Sequence, residues 1–159
     1  MRTRGACMKN ISLKIIGYVE SNVAKQTDER CGEVDSRIVL LPEYRDGLRG
    51  IEMFSHVLVV TFLHEARFEP ARHLVRRPRG LDSMPLVGIF AQRGKDRPNP
   101  LGITAVPIMG VEPGALTVRG LDAIDGTPVV DVKPYFPAYD RVMDASVPDW
   151  VDRLMEGYF

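Results

Sequence analysis

Short apolar runs, each closed off by glycine, proline, asparagine or aspartate, recur along most of the chain. They are Leu13 to Val19, Arg37 to Leu41, His56 to Leu63, Leu86 to Ala91, Gly102 to Val111, Ala115 to Leu121 and Pro128 to Val132. Their length and their β-branched content predict strands. Between the fifth and sixth runs, Glu112-Pro113-Gly114-Ala115 has proline and glycine where a type II turn requires them, which predicts a hairpin. In the run from His56, both alternating sets are apolar, Leu58, Val60 and Phe62 against Val57, Val59 and Leu63. Such a strand is expected to be buried on both faces. Helical signals are few. Glu43 to Gly50 reads as a short turn or helix, and a second helix is expected from Ser146. There Ser146 is the expected cap, Pro148 suits the first turn, and Val147, Val151, Leu154 and Tyr158 share a face that leaves Trp150 to one side. Seven short strands with few helices predict a mainly-β fold, a closed or nearly closed β-barrel. The expected boundaries are a frayed leader over 1–12, a barrel domain over 13–139 and a helical extension over 140–159.

Composition narrows the class. A chain of 159 residues with 45% hydrophobic content is long enough for one domain with a sizeable core. Lys plus Arg equals Asp plus Glu at 21 each, so no global charge calls for a polyanionic partner or a membrane. The longest apolar stretch, Val57 to Leu63, is too short to cross a bilayer, and Lys14 interrupts the apolar segment that a signal peptide would need. Cys7 and Cys31 form no CxxC and no metal-type cluster. A soluble, cytoplasmic protein without a metal is expected.

Charge is nonetheless uneven. From Arg67 to Arg97 there are eight Lys or Arg against three acids, and from Asp122 to Phe159 eight acids against three bases. A solvated loop and a solvated tail explain this most simply. However, Arg72, Arg76, Arg77 and Arg79 fall in a poorly patterned connection and not on a helix face, an arrangement suited to gripping phosphates, and they are the candidate residues for binding RNA should the partner be one.

Several chemistries lack their signatures. No G-x-G occurs among the fourteen glycines, so the dinucleotide fingerprint and the glycine-rich loop of doubly wound methyltransferases are both missing. His64-Glu65-Ala66-Arg67-Phe68 begins like a zincin helix but has no second histidine, and only His56, His64 and His73 are available as imidazole ligands. No G-x-S-x-G surrounds any serine.

The informative stretch is Val87 to Tyr135. It contains Gly88-Ile89-Phe90-Ala91-Gln92-Arg93, Arg97-Pro98-Asn99-Pro100-Leu101-Gly102, Gly120-Leu121-Asp122-Ala123-Ile124-Asp125-Gly126-Thr127-Pro128 and Asp131-Val132-Lys133-Pro134-Tyr135. Pro98 and Pro100 fix φ on either side of Asn99 and make a stiff elbow, useful where Arg93, Arg97 or Asn99 must meet a ligand at a set angle. Asp125-Gly126 reads as a tight turn at which a ligand can approach the backbone. Together with Ile16-Gly17-Tyr18-Val19, Leu41-Pro42-Glu43-Tyr44 and Phe54-Ser55-His56, these motifs resemble the TrmO (YaeB-like) family over roughly Leu13 to Tyr139.

The resemblance implies a seven-stranded barrel, usually a homodimer, that binds S-adenosylmethionine outside the Rossmann scheme. It implies methylation of N6 of threonylcarbamoyladenosine beside the tRNA anticodon. The cofactor contacts it implies are Arg30, His64, Glu65, Arg93, Ile103 and the turn Ile124, Asp125, Gly126 and Thr127. Arg97, Asn99, Lys133 and Tyr135 are the expected substrate contacts. These types suit the chemistry, since arginine pairs with a carboxylate and oxygen acceptors or π faces suit a sulfonium. Two departures stand out: Gln92 replaces the family's threonine, and Ser21-Asn22-Val23 with Glu29-Arg30-Cys31 replaces its usual first loop. Methylation of a carbamoylated nitrogen requires removal of its proton. Asp125, Asp131, Lys133 and Tyr135 are all suitable, and the sequence does not choose among them. Two alternative readings fit the same motifs, a methyltransferase for another acceptor and a non-catalytic S-adenosylmethionine sensor or recruitment module.

Overall fold

The computed structural model describes residues 11–24 and 31–157. Six antiparallel strands close a barrel: β1 (Gly17–Glu20), β2 (Asp35–Leu40), β3 (His56–Phe62), β6 (Leu101–Glu112), β7 (Ala115–Arg119) and β8 (Pro128–Pro134). Their order around it is β1-β2-β7-β6-β3-β8. The mainly-β barrel expected from the apolar runs is therefore present, with six barrel strands among the described residues where seven were expected. The run from Leu86 supplies only β5 (Val87–Gly88), which pairs with β4 (Val75–Arg76) in a small ribbon outside the barrel. From Ile89 the chain turns into a 3₁₀ turn, because Ile89 is buried while Phe90 and Ala91 face outward, a pattern no straight strand could continue.

The hairpin between β6 and β7 forms as expected, with Gly114 at φ 78° after Pro113. Glu43 to Gly50 becomes a 3₁₀ turn over Pro42–Leu48, anchored by buried Leu48. Two four-residue helices, α1 (Pro70–His73) and α2 (Pro137–Asp140), precede the last helix, α3 (Asp149–Met155). This helix begins later than expected. Its cap position is Pro148, without a side-chain cap bond, and Ser146 lies in the exposed stretch before it.

The core fills the barrel. Val19, Ile38, Leu40, Val57, Val59, Val106, Leu116, Val118 and Val129 are its buried members. In β3, Val57, Val59 and Thr61 point inward and are buried, whereas Leu58 and Val60 on the outer face are half-buried and Phe62 is 40% exposed. Double burial of this strand is thus not achieved within one chain. Among the described residues, no helix is long and apolar enough to cross a membrane.

Candidate functional site

Strand pairing explains where a cleft forms. β3 covers one edge of β6 from Leu101 to Pro107, but β7 pairs with the other edge only from Ile108 onward. The first half of β6 therefore keeps one edge free of strand partners. Backbone groups on such an edge need other partners. One comes from the elbow: the Arg93 guanidinium (Nη2) donates to the Ile103 carbonyl at 2.7 Å. A cleft of about 790 Å³ opens along this edge. Its floor includes Leu101, Gly102 and Ile103, and its walls carry Arg76, Arg79, Arg93, Lys95 and Arg97 against Asp96 and Asp122. Five cations against two carboxylates favour an anionic ligand. Gly102 lets β6 pack tightly on β3 at this point, since a Cβ there would stand 2.5 Å from the buried Thr61 Oγ1.

Second-layer contacts hold the loop that carries these arginines. Buried Gln92 donates through Nε2 to the carbonyls of Arg76 and Val87, both at 3.2 Å, tying the β4-β5 ribbon to the elbow. A threonine hydroxyl has one proton to give and could not serve both carbonyls, which accounts for glutamine at this position. Arg97 Nη1 donates to the Gln92 carbonyl at 3.4 Å, and Asp96 Oδ1 accepts the Arg67 backbone N–H at 2.9 Å.

The expected site residues divide into groups. Arg93, Ile103 and Arg97 line the cleft together. His64 and Glu65 are exposed on the turn after β3, next to Leu63, whose N–H donates to the Pro100 carbonyl at 2.7 Å. Asn99 is exposed on the same elbow. The turn Ile124 to Thr127 forms as expected, with Gly126 at φ 75° and Ile124 and Thr127 buried. Asp125 Oδ1 accepts the Ser21 N–H at 3.0 Å, and the Asp125 N–H donates to the Val23 carbonyl at 2.8 Å, so the altered first loop docks on this turn. Arg30 lies outside the described residues. Lys133 and Tyr135 stand toward the far end of β8, at least six residues from Thr127, roughly 20 Å along an extended strand. Lys133 pairs with Asp131 at 2.6 Å, and that hydrogen bond, with the attraction behind it, raises the ammonium's pKa above its ordinary value.

The four arginines of the basic connection do not act as one patch. Arg76 and Arg79 line the cleft. Arg77 donates through Nη1 to the Met84 carbonyl and borders a separate hollow beside Trp150. Arg72 is exposed on α1 and lies 3.7 Å from Glu69. Among the four acceptors weighed for a proton, none lines the cleft. Asp122 does, and so do Leu154 and Met155 of α3. Sequence reasoning gave these three no site role, because nothing local distinguishes Asp122 from the turn beside it and Leu154 reads only as part of the apolar face of the last helix. Among the described residues no cluster of His, Cys, Asp and Glu could hold a metal ion.

Comparison with known proteins places this architecture. Residues 18–141 match the family model of the tRNA-methyltransferase O N-terminal domain. The chain is 39% identical over 134 residues to an S-adenosyl-L-methionine-binding protein of Archaeoglobus fulgidus, covering 82% of this chain and 93% of that one. It is 32% identical over 150 residues to the human tRNA (adenine(37)-N6)-methyltransferase, covering 87% of this chain. A crystal structure of TrmO from Pseudomonas aeruginosa superimposes with a TM-score of 0.72 at 32% identity over 91% of this chain. The chain spans 33% of the human protein, 45% of a Pseudomonas aeruginosa relative and 63% of that crystallised TrmO. With the model matched over most of its length and the same barrel in its solved relatives, the chain belongs to the TrmO family.

Proposed function

We propose that this chain is an S-adenosylmethionine-dependent methyltransferase whose acceptor is N6 of threonylcarbamoyladenosine beside the anticodon of tRNA. The observation that carries the reading is the cationic cleft along the free edge of β6, where Arg93, Ile103 and Arg97 come together. The cleft fits the cofactor by volume and donor set. Its guanidinium groups suit a carboxylate, and the exposed Ile103 side chain offers apolar surface for a purine.

S-Adenosylmethionine, when bound, supplies a methyl group on a cationic sulfur. The chain's own residues have three tasks. Arg93 and Arg97 bind and orient anionic groups, and the stiff elbow between them limits their freedom. Asp122, for which no hydrogen bond or ion pair is found among the described residues, takes up the proton released from the acceptor nitrogen. Arg79 at the cleft and the exposed Arg72 on α1 meet the RNA backbone. A tRNA substrate places the action in the cytoplasm, and the partly exposed apolar outer face of β3 supports a homodimer as the working form.

Incubating the purified protein with labelled S-adenosylmethionine and tRNA carrying threonylcarbamoyladenosine tests the reading. Nucleoside mass spectrometry should show one added methyl on that nucleoside. Cofactor binding with no methyl transfer to any RNA would instead favour the sensor.

A further inference from the structure

Arg76 differs from the other cleft arginines. It sits on the two-residue strand β4, lines the cleft, and its Nε is buried without a hydrogen-bond partner. A buried N–H left unpaired is costly, and a cationic one more so. Its nearest carboxylate does not relieve this. Asp96 Oδ2 lies 3.7 Å from Arg76 Nη1, too far for a good hydrogen bond, while Asp96 Oδ1 accepts the Arg67 N–H and lies 3.9 Å from Lys95. The guanidinium also occupies a reserved space. A Cβ on Gly94 would stand 2.5 Å from Arg76 Nη2, so only glycine at position 94 lets the fork lie where it does.

We infer that Arg76 is a carboxylate-binding residue of this cleft, presenting its two terminal Nη groups to a carboxylate of the bound ligands while the buried Nε keeps the side chain seated. The inference rests on the proposed reaction, whose participants offer two such groups: the α-carboxylate of S-adenosylmethionine and the threonyl carboxylate of the acceptor. Both are planar two-oxygen acceptors, and an arginine fork matches either one with two parallel bonds. Lysine keeps the charge but loses the fork.

Arg76→Lys and Gly94→Ala test this from opposite sides, one removing the fork and the other displacing it. Each variant is compared with wild type for binding of S-adenosylmethionine and of its decarboxylated analogue by calorimetry. Each is also compared for methyl transfer to tRNA with and without threonylcarbamoyl at the target adenosine. Loss of wild-type preference for the carboxylated cofactor, by roughly tenfold or more in Arg76→Lys and less in Gly94→Ala, assigns the residue to the cofactor. Loss of preference for the modified tRNA, with cofactor binding unchanged, assigns it to the acceptor. These differences cancel a general weakening of the fold, because both members of each pair meet the same variant. If both variants keep both preferences at wild-type size, Arg76 binds no carboxylate and the inference is wrong. Failure of the wild type to bind S-adenosylmethionine at all would instead count against the proposed function.

Discussion

Arg93 holds two positions at once, reaching from the elbow to the Ile103 carbonyl while lining the cleft with the rest of its guanidinium. That bond aims the side chain along the free edge of β6, so its remaining N–H groups are set before a ligand arrives. Replacing Arg93 with alanine should therefore weaken S-adenosylmethionine binding by roughly tenfold or more, through a lost charge-assisted contact and a freed elbow. Calorimetry on the folded variant checks it, and wild-type affinity would remove Arg93 from the site. That Arg93, Arg97 and Ile103 would come together was legible in the sequence because they sit in rigid, spaced motifs. The place of Asp122 and Arg76 in the same cleft was not legible. What distinguishes them is position against distant strands, and an unpaired Nε leaves no trace in local pattern.

The elements show a similar division. β2, β3, β7 and β8 follow the apolar runs to within a few residues, because β-branched apolar segments bounded by turn residues favour strands, and in β2 and β3 burial alternates along the strand. The run from Leu86 failed as a barrel strand since its continuation turns at Ile89, and apolar content alone does not separate a strand from a buried turn. The last helix is the more instructive case. None of the seven residues of α3 is fully buried, yet Trp150 and Arg153 border the outer hollow while Leu154 and Met155 line the cleft. It separates two concave surfaces and lies beyond the residues matched by the family model. Leu154→Asp with Met155→Asp should lower S-adenosylmethionine affinity several-fold, since the pair places new anions at an apolar lip beside a cleft that receives a carboxylate. The melting temperature should change less than for a core substitution, because Leu154 is only partly buried and Met155 is exposed, and both lie outside the barrel core. Unchanged affinity in the double variant would make α3 a bystander to the site.

For the whole molecule, the outer face of β3 points to a second copy. Its sequence is apolar on both alternating faces, but the barrel buries only Val57, Val59 and Thr61. Leu58 and Val60 remain half-buried and Phe62 is 40% exposed; next to them in the register, Ile103 of β6 pairs with Val60 and is 52% exposed. A contiguous apolar strip on a sheet face is a feature of interfaces more than of free surfaces. A two-fold partner would cover the strip with the same strip, giving the strand the double burial its sequence calls for. Because Ile103 belongs both to this strip and to the cleft, such a dimer would set the partner beside the cofactor site. Lys133, which follows Leu58 across β3 in the register, would lie at the same border with its partner Asp131. The expected outcome is a homodimer at micromolar concentration by light scattering. Val60→Asp should convert it to a folded monomer, since an unpaired carboxylate at the centre of an apolar contact is strongly unfavourable while the inner face of β3 is untouched. That monomer should lose methyl transfer as well. A wild type that scatters as a monomer and methylates tRNA at full rate would show that the strip is bare in the working protein, and that one barrel completes the site.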